Sequence, residues 1–488
     1  MTTEDLSALA ADAVARSSAT TDPDFPRVHV APPVGRLNDP NGLIQIGDTY
    51  HAFYQFSPLH PRKLVYWGHA TSTDLTHWTH HDPAIIPDAP FDANGAYSGT
   101  AIATDSGVEL WYTGNLKDDE GTRYASQCVV TTADMTHFVK EMTPVIPTHP
   151  QGYTAHFRDP QVWRDTDGSY RMLIGVQREN LTGAALLYRS TDRREWTLEG
   201  EMTFPDANGA FDDFGYMWEC PNLVRVRDED TNEWHDVFIF CPQGIEPDKE
   251  GYENIFPCVY IVGHLVGTEF RGANGTFEEV DRGFEFYAPQ VFARPLDSTE
   301  DALLLGWAGN ASEDDQPSIG SGNWVHCLTA PRRLTLKNGR LRQRFDLPGL
   351  SLEAFDGDLP VGDRGVDIDV PSTWRLSLEA RFESSNAALV FEVGHEKALQ
   401  IRVTPDYLEV DRSATRYPHG DVRRVSLPTG AADRIDILHD RSITEIVLGN
   451  GQIAFTLRSF LPGDNAGLSI TRQGNVRLEN SQLARGTD

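Results

Sequence analysis

A seven-residue pattern occurs three times in the first half of the chain and restricts what it can fold into. Ser72-Thr-Asp-Leu-Thr-His-Trp78 recurs as Thr132-Ala-Asp-Met-Thr-His-Phe138 and as Ser190-Thr-Asp-Arg-Arg-Glu-Trp196. The three Asp positions, 74, 134 and 192, lie 60 and 58 residues apart. Each copy follows a short apolar or mixed run. It reads as the turn of a β-hairpin, with the Asp bonding turn amides and the aromatic folding back on the sheet. A near-constant period marks one supersecondary unit repeated, here a blade, and predicts a β-propeller with long loops or insertions in each blade.

The surrounding pattern agrees. From residue 27 to about 345 the chain alternates short β-like runs with Gly, Pro, Asp and Asn. Leu43 to Ile46, His51 to Gln55, Val108 to Tyr112, Arg171 to Val176 and Val237 to Phe240 are examples. After Leu347-Pro348-Gly349 the character changes. Trp374 to Phe382 alternates strictly, Arg434 to Leu438 does so roughly, and Gly449-Asn450-Gly451 separates two further runs. These are hairpin signals and predict a separate antiparallel β-sandwich over 350–488. At the start, Leu6, Leu9, Ala10 and Ala13 share one helical face, and Thr2 or Thr3 is placed to cap it. Residues 1–26 are therefore expected as a helical extension on an otherwise all-β chain.

The 488 residues carry a formal net charge of −30, which disfavours nucleic acid and anionic membrane as partners. No run approaches the ~20 apolar residues of a membrane span, and the N-terminus has no secretion-signal pattern. Five Cys (128, 220, 241, 258 and 327) are widely spaced without a Cys-x-x-Cys pair. That spacing predicts no metal site, and reduced thiols in a cytoplasmic protein.

Three carboxylates stand in Pro- and aromatic-rich contexts: Asp39 in Asn38-Asp-Pro-Asn-Gly42, Asp159 in Arg158-Asp-Pro160 and Glu219 in Trp218-Glu-Cys-Pro221. Each precedes a β-like run. Strand starts of successive blades point into one axial funnel, so the three are expected to converge. Glycoside cleavage needs one carboxylic acid to protonate the leaving oxygen and one carboxylate near the anomeric carbon. Trp218 and Cys220 are poorly polar neighbours that would desolvate Glu219 and suit it to the acid. Asn38, Asn41 and turn amides would keep Asp39 ionised as nucleophile. Arg158 would keep Asp159 ionised, to grip sugar hydroxyls and stabilise positive charge. Alone, Asn38 to Gly42 is an ordinary turn; the weight lies in all three motifs in order, the outer carboxylates 180 residues apart.

These motifs, with Phe53-Tyr-Gln55, Trp67-Gly-His-Ala70, Tyr97-Ser-Gly-Thr100, Phe286-Tyr-Ala-Pro-Gln290, Gly306-Trp307 and Leu328 to Leu334, are similar to those of glycoside hydrolase family 32, the β-fructofuranosidases. The resemblance covers about 27–345 and implies a five-bladed propeller followed by a sandwich, with retention of configuration. It assigns the nucleophile to Asp39, the acid/base to Glu219 and the transition-state stabiliser to Asp159. It implies sugar contacts through Asn38, Gln55, Trp67, Tyr97, Ser98, Arg158 and Trp307, on sucrose or a related small fructoside, with no cofactor. Three features depart from the family pattern: Arg36 where a Trp is usual, the loop with Arg62 and Lys63 that often carries a Trp, and Glu285 where Asp is usual. They bear on the leaving-group side. Arg62 and Lys63 are read as solvated cations, with phosphate capture as the alternative. Fructosyl transfer to a sugar shares the same intermediate and is the second reading; a non-catalytic sugar-binding propeller is the third.

Overall fold

A computed structural model describes residues 2–245, 254, 256–354, 359 and 361–486. The expected domain ends at 1 and at 487–488 lie outside them. The first helix spans Thr3–Ala15, and the Thr2 side chain caps it by accepting from the Asp5 N–H at 3.2 Å. Leu6 and Ala10 are buried against the first sheet, where the Tyr66 hydroxyl donates to the Leu6 carbonyl at 3.2 Å. Leu9, expected on the buried face, is 36% exposed, so the apolar stripe is narrower than its sequence suggests.

The described residues between 35 and 345 form five sheets, antiparallel except for one short pairing, each built outward from an inner strand. The inner strands are Gly35–Ile46, Ala96–Tyr97 with Ala101–Thr104, Tyr153–Arg164, Met217–Arg227 and Tyr287–Val291. They touch one another in cyclic order, the fifth returning to the first. A parallel pairing of Trp324–Val325 with Gly35 and Arg36 fastens the ends of the ring. The second strands are covered on both faces, which explains their continuous apolar runs; Tyr170–Arg178 is buried at all but its two ends. Outer strands such as Thr197–Glu201 are solvated and polar.

The repeated heptad sits at the hairpin before each of the first three outer strands, Thr79–Ile85, Val139–Lys140 and Thr197–Glu201. Asp74, Asp134 and Asp192 each accept from the amides two and three residues ahead, at 2.8–3.0 Å. The residue after each Asp takes positive φ, 57° at Leu75, 59° at Met135 and 64° at Arg193. The aromatics do more than fold back on their own sheet. Phe138 stands edge-on to Phe53 and His69 of the first sheet, and Trp196 edge-on to Trp111 of the second. The repeat therefore joins consecutive sheets as well as turning each chain segment.

Two six-stranded sheets follow and share one apolar core that includes Trp374, Leu389, Ile401 and Ile446. Gly449, Asn450 and Gly451 form the expected turn, all at positive φ. The strand Ile443–Leu448 is buried on both faces because its outer face packs on the ring. That contact is charged. Arg332 of the ring pairs with Glu445 and with Asp281, all within the interior. His29, on the segment between helix and ring, holds Asp440 at 2.7 Å and Glu445 at 2.8 Å. Asp440 also accepts the backbone N–H groups of Arg27, Val28 and His29.

Burial alone would lower the His29 pKa; the two carboxylates outweigh it and raise the pKa from 6.5 to about 9. A raised folded-state pKa gives stability that is complete below 6.5 and lost as pH rises through about 9. His29→Gln, which strands two buried carboxylates, should cost about 3–5 kcal/mol below neutral pH. The gap between the melting temperatures of wild type and variant should narrow as pH rises through about 9. A gap independent of pH would show that His29 is held neutral.

Candidate active site

Four of the five inner strands break register at the same level: between Leu37 and Pro40, Arg158 and Gln161, Glu219 and Asn222, and Tyr287 and Gln290. Three of the breaks contain a proline, at 160, 221 or 289, and the first ends on Pro40. Proline has no N–H to give to the ladder, so the strand bulges there and re-aims the side chains before it. In three of them the residue before the proline takes positive φ: 65° at Asp159, 47° at Cys220 and 44° at Ala288. Such backbone is strained for a residue with a side chain and persists only where packing enforces it. In the second sheet Ser98-Gly-Thr100 interrupts the inner strand; a side chain at Gly99 would stand 1.8 Å from the Trp111 carbonyl.

The bulges bring the three carboxylates into one pit. Asp39 accepts from the Asn38 amide at 3.1 Å, from the Gln55 amide at 3.2 Å and from the Ser98 hydroxyl. Asn38 and Gln55 are bonded to each other, as are Gln55 and Ser98, so the three donors form one rigid set. The Cys220 thiol lies 3.8 Å from Asp39, and the Cys220 N–H donates to Asp159 at 2.9 Å. Glu219, next along that strand, is gripped through one oxygen by Arg158. Its other oxygen accepts from the Gln243 amide and the Tyr287 hydroxyl, both at 2.6 Å.

Burial raises the Asp39 carboxyl above its usual range, against the Ser98 and Asn38 donors that favour the ion. Burial likewise lifts Asp159 to about 7; Arg158 and the Cys220 N–H oppose the rise, and the nearby Glu219 and Asp39 add to it. Arg158 favours the Asp159 ion as expected, but from a distance, and burial outweighs it. Its guanidinium bonds Glu219 and stays 4.0 Å from the Asp159 oxygen. Trp218 does not desolvate Glu219. Neighbours on a strand face opposite ways, and Trp218 turns into the sheet core, donating to the Phe214 carbonyl at 2.6 Å.

Of the expected sugar contacts, Asn38, Gln55, Ser98 and Arg158 line the pit. Tyr97 is half-buried at its edge with Arg123 over its ring. Trp67 is fully buried and reaches the site only by donating to the Tyr97 carbonyl at 3.0 Å, so the expected direct contact is replaced by a supporting one. Trp307 is 2% exposed, edge-on to Tyr287, with Arg36 over its face at 5.1 Å. Arg62 and Lys63 are exposed. Glu285 is not at the pit. It is buried at the junction with the C-terminal sheets, where it pairs with Arg412 and Arg458. Tyr287 lay within a recognised motif without an assigned part, and Cys220 was expected only as an apolar neighbour of Glu219, not as a donor to Asp159; Gln243 carried no signal in the sequence, and strand pairing brings it to Glu219. Among the described residues no group of three or more His, Cys, Asp or Glu could hold a metal ion.

A pit of three converging carboxyls, two of them lifted by burial, with one arginine and a fixed set of amide and hydroxyl donors, is suited to acid–base and nucleophilic work on a polyhydroxylated molecule. Comparison with known proteins agrees. The model of the glycosyl hydrolases family 32 N-terminal domain matches residues 29–344. A sucrose-6-phosphate hydrolase of Bacillus subtilis is 34% identical over 462 residues, covering 92% of this chain and 91% of its own. One from Salmonella typhimurium is 37% identical over 456 residues, covering 91% and 90%. Among solved structures, a sucrose-6-phosphate hydrolase from Lactobacillus gasseri superposes with a TM-score of 0.82 at 28% identity, over 98% of this chain and 96% of that one. A β-fructofuranosidase from Bombyx mori gives 0.81 at 28%, over 99% and 97%. With the family model spanning more than half of its length and these relatives aligned across almost all of it, the chain belongs to glycosyl hydrolase family 32.

Proposed function

We propose that this chain is a retaining β-fructofuranosidase, which releases fructose from the non-reducing β-D-fructofuranosyl end of sucrose and related short fructosides, sucrose 6-phosphate among them. The observation that carries the reading is the convergence of Asp39, Asp159 and Glu219 around Cys220, whose thiol meets Asp39 and whose N–H holds Asp159. The five sheets over 27–345 are read as blades of a propeller, the two sheets over 350–488 as a sandwich, and 1–26 as an extension. Five free buried cysteines support a cytoplasmic setting. No helix among the described residues is long and apolar enough to cross a membrane.

In the first step an Asp39 oxygen forms a bond to the anomeric C2 while the C2–O bond to the leaving sugar breaks. Glu219 gives its proton to that departing oxygen. In the second step Glu219 takes a proton from water, whose oxygen bonds C2 as the Asp39 ester opens. Asn38, Gln55 and Ser98 fix the attacking carboxylate, so little reorganisation is needed at the moment of attack. Arg158, Gln243 and Tyr287 fix the acid. Asp159 has one oxygen tied to the Cys220 N–H, which leaves the other for sugar hydroxyls and for the positive charge that develops at C2. Transfer to a sugar acceptor shares this intermediate, and no contact in the pit favours it.

Asp39→Asn should fold with little change in melting temperature and lose at least about 10⁴-fold in kcat, measured as fructose release. Retained turnover would remove Asp39 as nucleophile. Proton NMR of the reaction at early times should show the β-anomer of fructofuranose first; first appearance of the α-anomer would exclude the covalent route. Both lifted carboxyls must be ionised, so kcat/KM should fall as pH drops below about 7, above the ordinary carboxylate range. Undiminished kcat/KM at pH 4 would contradict the desolvated pit.

A further inference from the structure

Arg36 takes no part in the two steps above, yet it is built into the pit. It lies two residues before Asn38 on the same face of its strand, toward the strand start, so it stands outward of Asp39. Its NηH donates to the Asn38 side-chain oxygen at 2.9 Å, and its Nε–H donates to Asp314 at 2.8 Å. The guanidinium also lies on the Trp307 face. Two of its five N–H groups are so engaged. The remaining three have no partner among the described residues, and the side chain is 16% exposed. If the fructosyl unit fills the bottom of the pit, as the proposed function requires, the leaving sugar comes next outward.

Asp314 is delivered by a loop, residues 309–317, that is fixed from its other side. Arg458 of the C-terminal sheets donates to the Glu313 carbonyl at 3.0 Å and to the Gln316 side chain at 3.1 Å, and pairs with the Glu313 carboxylate at 2.8 Å. The Tyr417 hydroxyl donates to Asp315 at 2.9 Å. With 313, 315 and 316 anchored to the C-terminal sheets, Asp314 is held where its carboxylate meets Arg36. The guanidinium is thereby ordered before any substrate arrives, and a preset planar fork is a better donor pair for sugar oxygens than a free one.

We propose that Arg36 is a specificity-determining residue that donates to the leaving sugar, and that Asp314 is its positioning residue, through which the C-terminal sheets help to shape the pit. The inference rests on the fructosidase reading. Its test compares kcat/KM on sucrose and on methyl β-D-fructofuranoside. Both give the same fructosyl-enzyme, but methanol is too small to reach Arg36. Loss of the bond to Asn38 falls on both substrates, so Arg36→Leu should lower the sucrose value about tenfold or more beyond whatever it takes from the methyl fructoside. Asp314→Asn should shift the ratio of the two values in the same direction by a smaller factor. A parallel loss on both substrates would show that Arg36 only supports Asn38 and Asp39, and would overturn the assignment, as would an unchanged sucrose value. An unchanged ratio in Asp314→Asn would overturn the part given to Asp314. Wild-type protein that releases fructose from neither compound would overturn the fructosidase reading itself, and this assignment with it.

Discussion

A proline cannot donate to a β-ladder, and the centre of this protein is built on that constraint. Pro40, Pro160, Pro221 and Pro289 stand at one level of four inner strands, and each breaks the register there. The break lets Asp39, Asp159 and Glu219 leave the alternation of an ordinary strand and face the same space. It also frees one peptide to do work: the Cys220 N–H, no longer part of a ladder, holds Asp159. Positive φ at Asp159, Cys220 and Ala288 is the strain that accompanies this arrangement, and the ring of packed sheets holds it in place.

The ring in turn is fixed by charges that have no access to water. Arg332, Glu445, Asp281, His29 and Asp440 form one buried network across the junction with the C-terminal sheets. Glu285, Arg412 and Arg458 form a second. Buried ions are costly unless every partner is present, so these networks favour one docking geometry over near alternatives. The same junction anchors the loop that carries Asp314 toward Arg36. Fold stability and pit shape thus share residues, and Arg458 takes part in both.

Much of the architecture was legible because it depends on local chemistry. Asp74, Asp134 and Asp192 each bond amides two and three residues away, so a turn can be read wherever the heptad occurs. The helix cap at Thr2 and the Gly449-Asn-Gly451 turn are equally local. The electrostatic environment of the site was not legible. Arg158 is adjacent to Asp159 in sequence but bonds Glu219, and Trp218 is adjacent to Glu219 but faces the opposite side. Adjacency along a strand says little about contact, because neighbours alternate faces and a bulge shifts that alternation.

The sequence by itself determined the turns, the strands, the x-Pro breaks and which carboxylates stand beside them, since each is fixed by residues within a few positions of one another. Tertiary structure alone decided who meets whom in the pit: Gln243 and Tyr287 on Glu219, Ser98 on Asp39, Asp314 on Arg36, and Glu285 away from the site altogether. Those pairings join residues tens to hundreds of positions apart. They are set by the closure of the ring and by desolvation inside it, and neither has a local signature in the chain.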